Sequence, residues 1–350
     1  MANRTIGLSR EDSSKNVGLE RSYDSLLKGA SGQRLMRYVA GAYVPVDGAE
    51  LEPAENGKDI ITTLDTYMQD VAENALMKMM VGNNSVHGTA IVMETATGKI
   101  KAIANLGQRM NPDNKTVAKD KDGNSIYDED LNYGIGKATE PGSVFKLATL
   151  MSLLDDKYVT INSSVDCEGG VKEFYGLKIH DTHPNHVLTV KNAFAASSNV
   201  AFAKMADQYY HSQPTKFINH LHYFRLDTLT GIDIDAASAK TTIKKPTNRS
   251  WANTTIPFMA HGYEELVTPL HMLMLYNAVA NNGKMMRPYL VNSVRDYGVD
   301  VKTIQPKVLV EHICSDETLA QLKECLRAVV DSAHGTAHKV FIGQYLWYCR

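Results

Sequence analysis

A serine and a lysine three positions apart are the first residues in this sequence whose types and spacing indicate chemistry. Ser143 and Lys146 lie in the segment EPGSVFK, which opens a long apolar helical pattern. Residues three apart are neighbours on one helix face, so the hydroxyl and the amine can touch. Burial lowers the pKa of a lysine, and a neutral amine beside a hydroxyl is a general base. The pair predicts a nucleophilic serine activated by a lysine.

The helical periodicity puts this lysine on a buried stripe. The same face continues through Lys146, Leu147, Leu150, Leu153 and Leu154. A purely structural lysine normally lies on the wet face of a helix. Ser143 also follows Pro141 and Gly142 at the helix start, where its free N–H can donate to an oxyanion. The spacing leaves an alternative open, in which Ser143 is only a helix cap and Lys146 extends to the surface.

A second polar element, Ser197-Ser198-Asn199, interrupts two helical segments. The hydroxyl of Ser197 can relay a proton between Lys146 and a leaving amine, and the Asn199 amide can bind both the lysine and a substrate amide. Taken alone, this triplet is equally explained as a helix N-cap.

Both short patterns also occur by chance elsewhere. Ser25 and Lys28 repeat the first spacing, and Ser14, Lys15 and Asn16 imitate the second. Order and context must therefore support the assignment.

The surrounding pattern predicts α/β or α+β architecture. A strand begins at Asp59 and a helix with apolar Met68, Val71, Ala72, Leu76 and Met79 follows it. The run TAIVMETATGKIKAIAN predicts a β-hairpin. Further helices are expected over 141–158, as a broken pair over 190–210, and over 268–280. Residues 1–57 are polar with one short helical run and are interpreted as the remnant of a neighbouring domain, and residues 58–350 as the main domain.

Composition excludes several classes of protein. The 350 residues are 43% apolar, which suffices for a real core, and 37 basic residues against 39 acidic ones indicate no nucleic-acid partner. No run of 18 apolar residues occurs. The four cysteines, Cys167, Cys314, Cys325 and Cys349, match neither a zinc site nor a disulfide scaffold.

Two segments could suggest metal ions, but neither supports a metal prediction. The loop DKDGNSIYDED, with Leu131 after it, has its glycine at the fourth position and lacks the glutamate that a calcium loop needs at the twelfth. His180, His183 and His186 could converge on zinc, yet no cysteine or carboxylate pattern completes a ligand set. We expect no metal and no cofactor.

Four blocks in order resemble the class B penicillin-binding proteins of the cell-division type. S-x-x-K followed by S-x-N is the motif set of penicillin-binding proteins and class A β-lactamases. NVGLERSYDSLLKGASGQR is similar to the end of the non-catalytic pedestal of that family, and EPGSVFK, LTVKNAFAASSNVAFAK and HGYEELVTPLHMLMLYNAVANNGKMMRPYLV are similar to its later segments. The resemblance implies the transpeptidase fold that this family shares with β-lactamases, an antiparallel sheet with helices on both faces.

The resemblance also implies roles. Ser143 would form the acyl-enzyme, Lys146 would be its base, Ser197 the proton relay and Asn199 a substrate ligand. The reaction would be D,D-transpeptidation of peptidoglycan stem peptides that end in D-Ala-D-Ala, with β-lactams acylating Ser143. The parent protein would be anchored on the periplasmic face of the bacterial inner membrane and would work with a glycosyltransferase in a division or elongation complex.

The chain departs from the family at the third motif, K-[ST]-G. The nearest matches begin at Ala96, Leu229 and His334, and none has both the cation and the order. FIGQYLWYCR stands where the K-T-G strand is expected. The sequence therefore predicts a domain truncated before its last strands and C-terminal helix, with an aromatic tail that arises from a frameshift or premature end. Two alternatives follow: an inactive fragment or binding module of a division complex, and a serine β-lactamase or β-lactam sensor.

Overall fold

The computed structural model describes residues 2–7, 16–113, 115–234 and 239–341. The helices are α1 Asn3–Ile6, α2 Gly18–Ser22, α3 Asp24–Leu27, α4 Thr66–Asn83, α5 Tyr133–Gly136, α6 Lys146–Asp155, α7 Val190–Ala195, α8 Asn199–Tyr210, α9 Pro214–Tyr223, α10 Thr255–Met259, α11 Pro269–Ala280, α12 Asp316–Asp331 and α13 His338–Phe341. The strands are β1 Gln33–Val39, β2 Ala42–Glu52, β3 Asp59–Thr62, β4 His87–Met93, β5 Ile100–Gln108, β6 Tyr127–Asp128, β7 Ser164–Asp166, β8 Val171–Phe174, β9 Leu177–His180, β10 Val187–Thr189, β11 Thr242–Ile243, β12 Glu265–Leu266, β13 Met285–Met286, β14 Val291–Asp296, β15 Val299–Thr303 and β16 Val308–Val310. Short 3₁₀ turns cover Gly142–Phe145 and Glu168–Gly170.

The predicted hairpin is the antiparallel pair β4–β5, and helices cover both of its faces. Gly88 of β4 packs toward Leu76 and Met80 of α4. The next residue, Thr89, faces α5 on the other side, as the alternation of a strand requires. This arrangement confirms the predicted mixed fold with helices on both sides of an antiparallel sheet. In the part of the chain that the structure describes, β4 pairs with β5 alone.

Helix α4 forms where the sequence predicts it, and Ala72 and Leu76 pack against the sheet as expected, but the rest of its contact face is shifted. Met68, Val71 and Met79 are exposed, whereas Gln69 and Met80 are buried. Gln69 explains the shift, because its side-chain amide accepts from the N–H of Ile103 at 2.8 Å and donates to the carbonyl of the same residue at 3.2 Å. A polar residue thus binds the backbone of β5, and the apolar residues beside it remain in solvent.

Helix α6 is the centre of the main hydrophobic core. The sequence predicts one buried stripe, but every residue from 146 to 154 is buried. The predicted buried face was too narrow because α8, α9 and α12 all pack against α6. A helix surrounded in this way has no wet face, so the burial of Lys146 does not depend on its register.

The broken helix pair and the later helix are confirmed. α7 ends at Ala195 and α8 begins at Asn199. Helix α11 starts after Thr268, whose hydroxyl accepts from the N–H of His271. None of the helices in the described ranges combines the length and the apolarity needed to cross a bilayer.

The first 57 residues contain more structure than one short helix. β1 and β2 form a hairpin around Ala40 and Gly41, both with positive φ, the geometry that favours a tight two-residue turn. This hairpin was not predicted from the sequence. Thr5 also accepts a hydrogen bond from the side chain of Asn132, and Leu19 belongs to the main core. The division at residue 57 remains a prediction.

Candidate active site

The turn that carries Ser143 determines how it meets Lys146. The segment 142–145 is a 3₁₀ turn that continues into α6 at Lys146. In a 3₁₀ turn, side chains three residues apart eclipse one another, so the lysine stands directly against the serine. Ser143 is exposed, whereas Phe145 and Lys146 are buried. This places a nucleophile at the surface with its candidate base behind it.

A second loop holds this turn in place through two glycines. The N–H of Gly142 donates to the carbonyl of Gly262 at 2.9 Å. A Cβ on Gly262 would lie 1.9 Å from the carbonyl oxygen of Gly142, and its φ of +96° also favours glycine. On the other side, the hydroxyl of Tyr276 donates to the carbonyl of Val144 at 3.1 Å. Backbone contacts therefore fix the position of the serine.

The amine of Lys146 has four polar contacts. Its Nζ lies 3.1 Å from Oγ of Ser143, 2.7 Å from the carbonyl oxygen and 2.9 Å from Oγ of Ser197, and 2.7 Å from Oδ1 of Asn199. All four residues singled out from the sequence are thus brought together around one nitrogen. The alternative in which the lysine extends to the surface is wrong, because Lys146 is only 1% exposed.

Burial changes the protonation of this lysine. It lowers the pKa of Lys146 to about 7, and the negative charge of Asp181 opposes the shift. A substantial fraction of the amine is then neutral at pH 7, although an ordinary lysine would be almost fully charged. A base needs its pKa near the working pH, and burial in the core supplies that condition here.

The four contacts also orient the lone pair of the neutral amine. The carbonyl of Ser197 and the amide oxygen of Asn199 can only accept hydrogen bonds, so they take the two hydrogens of a neutral amine. The lone pair is then left for a hydroxyl, and Ser143 and Ser197 are the two hydroxyls within reach. The arrangement can therefore take a proton from Ser143 and return it through Ser197.

The Ser197-Ser198-Asn199 break has a cap as well as these contacts. Ser198 is the N-cap of α8, and its hydroxyl accepts from the N–H of Ala201 at 3.1 Å. Ser197 has a left-handed φ of 56°, which turns both its carbonyl and its hydroxyl toward Lys146. The N-cap interpretation and the proton-relay interpretation are thus compatible, since different serines are involved.

Asn199 retains one donor for a further partner. Its Nδ2 donates to the carbonyl of His180 at 2.8 Å, while Oδ1 accepts from Lys146. An amide carries two N–H groups, so one of them is left for a substrate. The side chain is half-buried at the edge of the site.

Sequence reasoning missed two residues beside the lysine. Asp181 follows β9 and contacts the start of α8, but only the histidines of its segment suggested a site in the sequence. His261 is buried, and neither ring nitrogen has a hydrogen-bond partner among the described residues. Burial, followed by the nearby charge of Lys146, lowers the pKa of His261 to about 4. No spacing in the sequence indicates either residue.

The chance repeats of the two patterns differ from the site in burial. Ser25 and Lys28 are both exposed at α3, so the ammonium group of Lys28 remains hydrated. Ser14 and Lys15 lie outside the described residues. Burial of the lysine therefore distinguishes the two S-x-x-K matches.

The segments weighed as metal sites have other contacts. His180 contributes its carbonyl to Asn199, and Oδ1 of Asp120 accepts from the N–H groups of Asp122 and Asn124. In the described ranges, no group of three or more histidine, cysteine, aspartate or glutamate residues is placed to hold a metal ion.

The imperfect matches to K-[ST]-G lie in other surroundings. Thr97 is in the β4–β5 turn, where its hydroxyl bonds to Glu94. The N–H of Thr336 donates to the carbonyl of Ala195 at 3.1 Å, at the end of α7. The tail predicted to stand in the place of the K-T-G strand, including Cys349, falls outside the described residues from position 342 onward.

A mostly apolar groove adjoins the nucleophile turn. It has a volume of about 480 Å³ and lies between residues 139–144 and α11, with Val144, Met272 and Tyr276 among its walls. It opens on the side of the turn that carries the exposed Val144.

Comparison with known proteins agrees with this geometry. The family model described as "Penicillin binding protein transpeptidase domain" matches residues 88–346. The chain is 26% identical to Stage V sporulation protein D of Bacillus subtilis, over 97% of this chain and 51% of that protein. It is 25% identical to Peptidoglycan D,D-transpeptidase FtsI of Buchnera aphidicola, over 89% of this chain and 52% of that one. The chain thus spans about half the length of these relatives.

Solved structures share the fold. Penicillin binding protein 3 of Mycobacterium tuberculosis, complexed with aztreonam, superposes with a TM-score of 0.72 at 22% identity, over 94% of this chain and 67% of that chain. Penicillin-binding protein 2B of Streptococcus pneumoniae also has a TM-score of 0.72, at 20% identity, over 94% of this chain and 55% of that chain.

Proposed function

Because the chain belongs to the penicillin-binding protein transpeptidase domain family, we propose that it is the acyl-transfer part of a class B peptidoglycan D,D-transpeptidase. The observation that carries this proposal is the buried amine of Lys146, 3.1 Å from the exposed hydroxyl of Ser143. A buried lysine against an exposed serine is the requirement of an acyl-transfer nucleophile. The substrates would be stem peptides that end in D-Ala-D-Ala.

The first half-reaction forms an ester on Ser143. The neutral amine of Lys146 takes the hydroxyl proton as Oγ attacks the carbonyl carbon of the penultimate D-Ala. The C–N bond to the terminal D-Ala then breaks, and the departing nitrogen receives a proton from Lys146 through the hydroxyl of Ser197. The products are the Ser143 ester and free D-Ala, so atoms and protons balance.

The second half-reaction uses the same groups, with the proton transfers in the opposite direction. The amine of a neighbouring stem peptide attacks the ester carbonyl, and the neutral Lys146 takes up the proton that this nitrogen loses. The C–O bond to Ser143 then breaks, and the proton returns to its Oγ. A β-lactam would follow only the first half, because its ring C–N bond opens while the nitrogen stays tethered to the acyl group.

Two groups are positioned to help the substrate. The N–H of Ser143 lies in the first turn before α6, where backbone donors can stabilise an oxyanion. The remaining N–H of Asn199 can bind an amide of the stem peptide. A second oxyanion donor is worth about 10²–10³ in rate. Because the sequence has no K-[ST]-G motif, no residue is assigned to that second donor.

We assign the cellular setting on the same basis. A chain of this family would work on the periplasmic face of the inner membrane, where stem peptides are exposed, with an anchored parent protein and a glycosyltransferase that supplies the glycan strands. Residues 1–57 would be the end of the pedestal and residues 58–350 the transpeptidase domain.

The proposal is tested with a synthetic peptide that ends in D-Ala-D-Ala. Released D-Ala is quantified and the acyl-enzyme is sought by intact mass, with Ser143→Ala and an L-Ala-L-Ala peptide as controls. We expect D-Ala release that requires both Ser143 and the D-configuration. A folded chain that releases no D-Ala and gains no mass would favour the binding-module alternative, and rapid turnover of a chromogenic β-lactam would favour a β-lactamase.

A further inference from the structure

A carboxylate at the end of β9 binds the residues on both sides of Asn199. Oδ1 of Asp181 accepts from the N–H of Val200 at 2.9 Å, and Oδ2 accepts from the hydroxyl of Ser198 at 2.7 Å. The acyl-transfer steps described above assign Asp181 no role. Its contacts nevertheless flank Asn199, which binds the lysine directly.

The neighbours of Asp181 complete this support. The carbonyl of His180 accepts from Nδ2 of Asn199 at 2.8 Å, which turns Oδ1 of that amide toward Lys146. Nδ2 of Asn185 donates to Oδ2 of Asp181 at 2.8 Å and orients the carboxylate from its own loop. His180 at the end of β9 and Asp181 after it thus hold the side chain of Asn199 and the two residues that flank it.

The helix that begins at Asn199 gives the carboxylate a favourable location. α8 is 12 residues long, and its free N–H groups carry partial positive charge. Asp181 accepts directly from one of them, the N–H of Val200. A second, the N–H of Ala201, donates to the Ser198 hydroxyl, which in turn donates to Asp181. The left-handed φ of Ser197 costs free energy and persists only where surrounding contacts enforce it.

From these contacts we infer that Asp181 is a positioning residue of the acyl-transfer site, which holds Ser197 and Asn199 within reach of the Lys146 amine and places a negative charge beside that amine. The inference rests on the proposed function, and it adds the group on which the geometry of the base depends.

The charge has its own consequence. Asp181 raises the pKa of Lys146 against the larger lowering caused by burial. Within the described residues, His261, whose pKa burial lowers to about 4, and Cys167, whose thiol pKa burial raises, also lie near the charges of this cluster; Asp166 and Lys204 act on Cys167 with opposite signs. His261 and Cys167 are both uncharged near pH 7. Replacing Asp181 by a neutral residue therefore lowers the pKa of Lys146 further.

The kinetic test compares Asp181→Asn with the wild-type chain, using the rate of Ser143 acylation by a fluorescent penicillin between pH 5 and 9. The rate rises with pH as Lys146 loses its proton. We expect a plateau about 10- to 100-fold lower, by analogy with the loss when a group that orients a metal ligand is removed, and an acid limb that moves to lower pH. Asp207→Asn is the matched control, since Asp207 lies on α8 and bonds the hydroxyl of Tyr175, and it should change neither.

A second variant separates position from charge. Ser198→Ala removes one contact of Asp181 and leaves its charge, so acylation should slow while the acid limb stays at its wild-type pH. It also provides the kinetic test if Asp181→Asn does not fold. Wild-type rates and wild-type pH dependence in folded Asp181→Asn would overturn the inference. If that variant does not fold, a wild-type acylation rate in Ser198→Ala would overturn it.

A titration without substrate keeps this result distinct from the proposed function. The Lys146 signal of ¹³C-lysine-labelled protein is identified by its loss in Lys146→Met and is titrated in the wild type and in the Asp181→Asn variant. A lower midpoint in the variant supports the inference even if no penicillin reacts, and an unchanged midpoint overturns it. Failure of wild-type acylation alone contradicts the proposed function.

Discussion

Replacing Glu265 by leucine should stabilise the protein, and more strongly at neutral than at acidic pH. Glu265 is fully buried in β12 opposite Ile243, and neither carboxyl oxygen has a hydrogen-bond partner among the described residues. Burial, followed by the nearby charges of Glu140 and Glu264, raises the pKa of Glu265 well above its ordinary 4.5, and Lys244 opposes this only in part. The folded state therefore retains a proton that the unfolded chain releases.

The magnitude follows from two contributions. A buried polar group without a partner costs about 1–3 kcal/mol. Because the folded pKa of Glu265 is raised, its contribution becomes more unfavourable as pH rises above the unfolded value, by about 1.4 kcal/mol per pH unit until the folded pKa is reached. Between pH 5 and 7 the second contribution reaches about 2.5 kcal/mol at most. Leucine removes both costs and packs against Ile243.

The assay is urea unfolding at pH 5 and pH 7 for the wild type, Glu265→Leu and a control. Glu324→Gln is the control, because its carboxylate on α12 is exposed and paired with Lys191 and is not among the charges that act on Glu265. We expect Glu265→Leu to gain about 2–4 kcal/mol at pH 7 and clearly less at pH 5, with no gain in the control. A gain that is equal at both pH values would show that Glu265 is not held protonated, and a loss of stability would refute the account of an unpaired carboxyl.

Three further outcomes follow from the site. Lys146→Met should slow penicillin acylation about 10²–10⁴-fold, the contribution of a general base, with far-UV circular dichroism unchanged; a near-wild-type rate would exclude the lysine as base. Ser197→Gly should suit the left-handed φ of 56°, so urea unfolding should show equal or greater stability while acylation slows about 10-fold or more; unaltered acylation would remove the relay. Gly262→Ala should lower the free energy of unfolding in urea by about 2 kcal/mol or more, because its Cβ meets Gly142. The control Gly298→Ala, with φ +82° and open space around the new Cβ, should lower it by about 1 kcal/mol. Equal losses of stability would show that the contact with the nucleophile turn relaxes without strain.

Local patterns were sufficient for much of the fold. The β4–β5 hairpin, the helix after Pro141, the break before Asn199 and the helix after Thr268 all have local signals in turns, caps and periodicity. The N-terminal hairpin was missed because its turn, Ala40-Gly41, is not among the strongest turn pairs and its strands carry several charged residues. The face of α4 was only partly predicted because a side-chain amide, Gln69, binds the backbone of the sheet.

The site was predictable where chemistry is encoded by close spacing. Ser143 and Lys146 are three residues apart, and the motif order linked them to Ser197 and Asn199, 51 and 53 positions from the lysine. The contacts of Asp181 depend instead on how β9 packs against α8, which no spacing in the sequence specifies. The buried carboxyl of Glu265 has no sequence signal at all, since an isolated glutamate is normally read as exposed.

The central claim is that Ser143 is a nucleophile activated by Lys146, and covalent labelling tests it most directly. The purified chain is incubated with a fluorescent penicillin, the added mass is measured on the intact protein, and the labelled peptide is mapped. We predict one added penicillin per chain, on Ser143, which disappears in Ser143→Ala. A soluble and folded chain that gains no mass, or that is labelled equally well in Ser143→Ala, would contradict the claim.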